Sequence, residues 1–373
     1  METHLPSYVG FDVARFDYHR VLAAADAFLL ADPVTIVTAR CPRSAGGAHD
    51  FYSEGDYWWQ IQRDCHLSYV RRDGFSNPAN FSYHRQLLTR LSIQVAALTA
   101  AWKITGDFKY ARHATLHLAA WFVDPRFSMS PNLRFAQAIP GIATGRSIGI
   151  VDTIHLVEVS LAIRVLRSSS IQLKPILDQI VSWFDSYLDW LTKDTFARAE
   201  ENRTNNLSTS WMLQVAAFSL LVGNDTLCNY AISKFQTVLL PMQMASNGSF
   251  PSELKRTKPY SYSLFNLELM VAFCQLLSTE RSSLWHFTLS DGRGINKAIE
   301  FMFPYIRDKK SWPYPPDVMY FHEWPKRHNC FLFAGLAYKR DDYVSIWATL
   351  EPDTNVDEVI RNLFIRQPIL WID

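Results

Sequence analysis

The chain has 373 residues, of which 48% are hydrophobic and 20% charged, and a formal net charge of +1. That is enough chain for one large domain with a substantial core, without the global positive field that drives non-specific nucleic-acid binding. No run approaches the ~18 apolar residues of a membrane-spanning helix, so nucleic acid and membrane are both set aside as partners, while the oligomeric state is not legible. Aromatic residues stand out at 14%, with 12 Trp, and Trp and Tyr in excess of core needs suggest a groove that holds rings or sugars.

In chain order, a helical pattern over 20–31 is followed by a long irregular segment, 40–80, that carries Gly55-Asp56-Tyr57-Trp58-Trp59. Leu87, Leu91, Val95, Leu98 and Trp102 then step by three and four, and after Gly106-Asp107 a second pattern covers 107–122. The irregular stretch 123–149 leads to Ile150, Ile154, Val157, Leu161 and Val165, and a further amphipathic pattern fills 172–191. Beyond 193–206 the patterns 208–222, 225–240, 263–278, 294–307 and 328–338 recur, punctuated by Gly223-Asn224-Asp225 and Asp291-Gly292. The segments 241–262 and 308–327 remain irregular, the second holding the rigid Trp312-Pro-Tyr-Pro-Pro316 and Trp324-Pro325 loops.

Strand alternation is scarce. Helices joined by short turns imply antiparallel hairpins, and many of them in sequence must stack as a solenoid or close on themselves to bury both faces. No fixed-period repeat supports a solenoid. The sequence therefore predicts an all-α fold, an α/α toroid built as an incomplete ring of antiparallel helical hairpins, with a groove lined by the long irregular segments. No composition shift or linker divides it, so residues 1–373 are expected to form a single domain.

Cys41, Cys65, Cys228, Cys274 and Cys330 are scattered and lack CxxC spacing, which predicts reduced thiols and neither a zinc site nor a disulfide framework. The opening Met1-Glu-Thr-His4 lacks the basic and apolar stretches of a secretory signal. The expectation is a cytoplasmic protein, or a secreted one if this is not the natural N-terminus. Asn-x-Ser/Thr sequons at Asn80, Asn202, Asn206, Asn224 and Asn247 include one inside the candidate site, where a glycan would block a cleft.

That candidate site starts at Asn205 and Asn206, just before the helical pattern near Ser208, where unpaired N–H groups and the helix dipole favour an anion. The plainer reading is that Thr204, Asn206 or Ser208 merely caps the helix. Arg256 follows in an irregular segment and can pair bidentately with a carboxylate. Tyr262 comes six residues later, and a phenol beside such a cation is favoured as a base or acid in proton transfer. Abstracting a proton next to a carboxylate piles a second negative charge onto its oxygens, so neutralising donors are indispensable. Two amides, a guanidinium and a phenol form such a β-elimination kit, and it needs neither metal nor cofactor.

These residues, with Gly55-Asp56-Tyr57-Trp58-Trp59, Arg72-Asp73-Gly74, Asn77-Pro78, Asn132-Leu133, Ala136-Gln137-Ala138, Gly149-Ile-Val-Asp152-Thr-Ile-His155, Glu253-Leu254-Lys255-Arg256-Thr257, Tyr262 through Leu267 and Trp312 through Pro316, carry a resemblance. The chain resembles the alginate lyase domain family, helical-toroid polysaccharide lyases that include poly-mannuronate and glucuronan lyases. The resemblance implies that Asn205 or Asn206 and Arg256 grip a uronate carboxylate while Tyr262 acts as acid and often base. In that family the Asn-Asn pair is normally followed by His; here the position is Leu207, which neither accepts a proton nor donates a hydrogen bond.

Three readings follow from Leu207. Tyr262 alone removes and delivers the proton in a syn-elimination; or His84, His155, His322 or His328 replaces the imidazole; or the site is repurposed for a small metabolite or serves as a carbohydrate-binding pseudoenzyme. Further groove candidates are Trp58 and Trp59, which either stack on sugars or pack, and Gln137, which bonds either a sugar hydroxyl or loop groups. Tyr314, Tyr320, His322 and Arg327 share one loop and are expected to close the groove from the opposite side. The expected partner is a uronate poly- or oligosaccharide, or a small metabolite.

Overall fold

The structure, a computed structural model, describes residues 11–63, 66–279 and 282–372. Cys65 and the opening Met1–His4 lie outside them. The chain gathers into two compact units, one of Asp12–Glu200 with Ala217–Asn224, the other built on Glu201–Ala216 and Asp225–Asp373.

The first unit begins with α1 (Val13–Phe28), whose first turn is tied by Asp12, its carboxylate accepting the Arg15 N–H at 2.9 Å. A parallel pair, β1 (Tyr52–Glu54) with β4 (Phe135–Ala138), and an antiparallel hairpin, β2 (Trp58–Arg63) with β3 (His66–Arg71), occupy the two stretches whose sequence is irregular. In the hairpin Trp58 faces Arg71 and Trp59 faces Val70 across the ladder. α2 (Tyr83–Thr105) packs against α1, α3 (Phe108–Phe122) and α4 (Leu156–Ser169). Gly106 lets the chain leave α2 at φ 68°, a conformation that favours glycine, and Asp107 caps α3 at once. Ile150 and Ile154 fall in a 3-10 stretch and turn ahead of α4 rather than in the helix their spacing suggested. α5 (Lys174–Lys193) closes the core, with the Trp183 ring centroid 4.5 Å from Phe122 and Phe184 buried beside Phe218.

α6 (Asn206–Val222) gives its residues up to Ala216 to the second unit. There it is followed by α7 (Asp225–Lys234), a π-turn at Phe235–Leu239, α8 (Leu240–Gln243), α9 (Pro251–Leu254), α10 (Pro259–Leu277), α11 (Ile295–Arg307), α12 (Asn329–Tyr338), α13 (Asp341–Thr349) and α14 (Asp357–Asn362). Every residue of α10 is buried. A helix that is apolar all round belongs in the middle of its unit, and each buried Leu, Phe or Met on it stabilises by about 1.5–3 kcal/mol.

Three helices of this unit have buried carboxylates at their starts. Asp317 accepts the Tyr260 and Ser261 N–H groups at 2.8 and 3.0 Å at the head of α10. Glu268 does the same for Asn329 and Cys330, both at 2.9 Å, at the head of α12. Glu253 serves α6. Orphan amides and the positive end of the helix dipole make such placements favourable. Cys41, Cys228, Cys274 and Cys330 are buried thiols. Among the described residues no helix is long and apolar enough to cross a membrane.

Candidate active site

The site is assembled where α9 follows a tight approach. Gly248 sits at φ 89°, and a Cβ there would stand 2.1 Å from the Lys297 carbonyl oxygen, so only glycine fits. Pro251 opens α9 at a position where its missing N–H is harmless. One turn on, Glu253 is 1% exposed. Its Oε1 accepts the backbone N–H of Asn206 and its Oε2 accepts the side-chain Nδ2–H of the same residue, both at 2.7 Å. Burial pushes the Glu253 carboxyl up to about 7, against the opposing pull of the Asn206 donors and of Arg256.

Asn206 is the first residue of α6 and is itself buried, whereas Asn205 is half-buried and its Oδ1 takes the Leu207 N–H at 3.2 Å. The first-turn side-chain acceptor is thus Asn205 rather than Thr204, Asn206 or Ser208; the Ser208 hydroxyl donates instead to the Glu201 carbonyl at 2.8 Å. Leu207 is half-buried.

The Arg256 N–H bonds the Glu253 carbonyl at 3.0 Å, so the turn after α9 is tied to the residue that holds Asn206. The Arg256 guanidinium lies over the Tyr262 ring, 4.6 Å from its centroid, a cation–π contact that contributes about 0.5–2 kcal/mol. Tyr262 projects from the first turns of α10 and is 9% exposed. Asn206, Glu253, Arg256 and Tyr262 are therefore linked in one chain of contacts. Sequence reasoning named three of them but gave Glu253 no role; its signal was an acid one helical turn before Arg256.

The 308–327 loop reaches the head of α10 through Asp317, and Tyr260 packs edge-on against Trp312 and Phe321 at 5.1 and 5.6 Å. Tyr314 is half-buried, its ring 5.0 Å from Trp312. Tyr320, at φ 61°, lies under the Lys258 ammonium at 5.8 Å. Lys258 is itself buried and ion-paired with Glu358 at 2.7 Å, and desolvation lowers its pKa below the usual lysine value.

The structure does not gather the remaining loop candidates there. His322 is exposed and faces Glu323 at 3.3 Å. Arg327 is spent at the C-terminal end of α13, donating from Nε to the Leu350 carbonyl at 3.1 Å with its guanidinium 4.8 Å over Trp347.

Trp58, Trp59 and Gln137 belong to the other unit. Trp58 and Trp59 are half-buried, with Arg146 and Arg72 over their rings at 5.7 and 5.0 Å. Gln137 is 6% exposed and enters a buried network. Its amide donates to Asp152 at 3.1 Å, its N–H to the Ser53 hydroxyl at 2.9 Å, and its carbonyl accepts Arg146 Nε at 2.7 Å. Its contacts fit the loop-satisfying role, not the sugar-facing one. Among the histidines the sequence offered in place of one at position 207, His84 is buried, taking the Tyr52 N–H at 3.0 Å and facing the Ala39 carbonyl at 2.6 Å, with its pKa lowered by burial. His155 is buried at the head of α4, and His328 is buried 3.7 Å from the Glu268 carboxylate that caps α12.

A largely helical chain that carries two amides, a guanidinium and a phenol holds the residue types that a lyase of acidic sugars needs. The family model for alginate lyase matches residues 36–312. The chain belongs to the alginate lyase family, and its fold class is the all-α toroid of those carbon–oxygen lyases. An alginate lyase from Bacteroides ovatus is 27% identical, with a TM-score of 0.81 over 96% of this chain and 93% of that one. Alginate lyase A1-III from Sphingomonas species A1 matches in fold at 13% identity and a TM-score of 0.55, over 95% of this chain and 94% of that one. A histidine-to-alanine variant of A1-III complexed with a tetrasaccharide reaches 0.58 at 13% identity, over 95% of this chain and 94% of that one. No curated protein matches the chain.

Proposed function

We propose that the chain cleaves a uronate-containing poly- or oligosaccharide by β-elimination. Arg256 and the Asn205-Asn206 pair bind the uronate carboxylate and stabilise the charge that develops on its oxygens. Tyr262 as phenolate takes the proton from C5; the C5–H electrons form the C4–C5 double bond as the C4–O4 bond breaks; and the same phenol returns the proton to the departing O4. No co-reactant is consumed, and with Leu207 beside Asn206 the phenol performs both transfers.

The observation that carries this reading is the Arg256 guanidinium held over the Tyr262 ring at 4.6 Å, in a turn tied through Glu253 to Asn206. The tetrasaccharide bound by the A1-III variant supports an oligosaccharide as the substrate class. The test is incubation of the protein with polymannuronate, polyguluronate and glucuronan, following the ultraviolet absorbance of new unsaturated ends. Product on any of them supports elimination. Binding without product points to a carbohydrate-binding pseudoenzyme, and neither binding nor product to a repurposed site for a small metabolite.

A further inference from the structure

The geometry points to Glu253 as the positioning residue of this site, the group that sets which way the Asn206 amide faces and so aims its free N–H at the uronate carboxylate. This rests on the β-elimination reading above. The three buried carboxylates at helix starts in this unit are not equivalent. Asp317 and Glu268 each take two consecutive backbone N–H groups. Glu253 takes one backbone N–H and one side-chain N–H from a single residue.

A side-chain amide has a donor end and an acceptor end of nearly the same shape, and nothing in its covalent structure selects one orientation. An ionised carboxylate accepts only. Facing Glu253, the Asn206 amide must turn its nitrogen inward, one of its two N–H bonds is spent, and the direction of the other is fixed. Replacing the acid by an amide removes that instruction, since a glutamine can offer oxygen to only one of the two donors and sets its own nitrogen against the second. Among the described residues, the groups that act on Glu253 are the neutral Asn206 donors of α6 and the charged Arg256 of the turn after α9, and Tyr262 of α10 lies beyond that guanidinium. Because burial raises the carboxyl to about 7, protonation in the neutral range converts this acceptor into a donor on one oxygen and loosens the amide.

The experiment pairs kinetics on the best uronate substrate with NMR of protein labelled at asparagine side-chain amides, the Asn206 signal being identified by its disappearance in Asn206→Asp. Glu253→Gln should lower kcat about 10- to 100-fold, the penalty of a misaimed donor, with KM within about threefold because the amide acts mainly as charge develops. Glu253→Asp keeps the charge but reaches one donor, and should recover most of the loss. In the unaltered protein the Asn206 amide signals should move with a midpoint near pH 7, along with the acid limb of kcat; Glu253→Gln should abolish both movements.

A folded Glu253→Gln that keeps kcat within about twofold, or that loses kcat while the Asn206 signals and the acid limb stay as they were, overturns the assignment. If Glu253→Gln does not fold, the unaltered protein decides: Asn206 amide signals that hold still across the acid limb of kcat refute the role. Signals that titrate in a protein making no product from any uronate would sink the lyase reading and leave the pairing standing. Product formation without the titration would do the reverse.

Discussion

Leu207→His places an imidazole at a single position, and its consequences can be worked out beforehand. Leu207 is half-buried. Full burial of a leucine stabilises by about 1.5–3 kcal/mol, so exchanging it for a polar ring should cost about 1 kcal/mol, a fall of about 1–2 °C in Tm for a chain of this length. The new side chain sits in the first turn of α6, where the helix dipole disfavours a cation by about 0.3–1 kcal/mol, which keeps the imidazole neutral near pH 7, a slightly weaker base with its lone pair free to accept a proton. A well-placed acid or base supplies about 10²- to 10⁴-fold. Since Tyr262 already moves the proton in the proposed reaction, the expected gain in kcat falls below that range, at about tenfold.

The assay is the initial rate of unsaturated-end formation on each uronan, with thermal denaturation alongside. Leu207→Gln serves as a polar, non-basic control. If Leu207→His folds with the expected Tm and is no faster than the unaltered chain, or if Leu207→Gln gains as much, imidazole chemistry is not what this position lacks.

Tyr262→Phe keeps the ring beneath Arg256 and removes only the hydroxyl, so Tm should fall by no more than about 4 °C while kcat drops about 10²- to 10⁴-fold; retention of a tenth of the activity would remove Tyr262 from the reaction. Arg327→Ala gives up the bond to the Leu350 carbonyl and the Trp347 ring, and should lower stability by about 1–3 kcal/mol with kcat/KM nearly unchanged. A raised KM with unaltered Tm would return Arg327 to the groove. Glu253 also predicts a pH dependence of stability. Its folded carboxyl lies above its ordinary 4.5, at about 7, so the folded state binds more protons and this group favours folding increasingly as pH falls from 8 towards 5, by at most about 3 kcal/mol. Melting curves across that range should show a steeper rise towards acid for the unaltered protein than for Glu253→Gln, and parallel slopes would refute the burial argument.

The helices were legible where one face is apolar, as in α3 and α11, because a 3.6-residue period survives in the sequence. α10 was legible in position but not in environment: with every residue buried, no polar face marks its ends, and it begins at Pro259 rather than near Ser263. The β2–β3 hairpin was missed because Trp58-Trp59-Gln60-Ile61 does not alternate cleanly and both rings stay half-buried under arginines. In the site, Asn206, Arg256 and Tyr262 were readable as residue types suited to one chemistry. Glu253 was not, because its role depends on a contact spanning 47 positions, and a lone acid carries no mark of what it will face. Gln137 stayed open between two roles and Arg327 was read as a groove residue for a related reason: polar residues in loops look available until the backbone carbonyls and carboxylates they bond are in place.

The side chain of Leu207, where the resemblance implies a histidine, forms none of the hydrogen bonds that hold the other groups. Asn206 is fixed through its own backbone and side chain by Glu253, Glu253 by the α9 turn that Gly248 and Pro251 shape, and Arg256 by that turn and the Tyr262 ring. Leu207 enters that hydrogen-bond set through its N–H, taken by Asn205, a bond any non-proline residue makes equally well. The Asn206 amide and the Tyr262 phenol thus rest on hydrogen bonds and a ring contact that do not pass through the side chain at position 207. A side chain there can change the chemistry of the site without dismantling its geometry, which is why a single substitution suffices to ask whether an imidazole still has work to do in it.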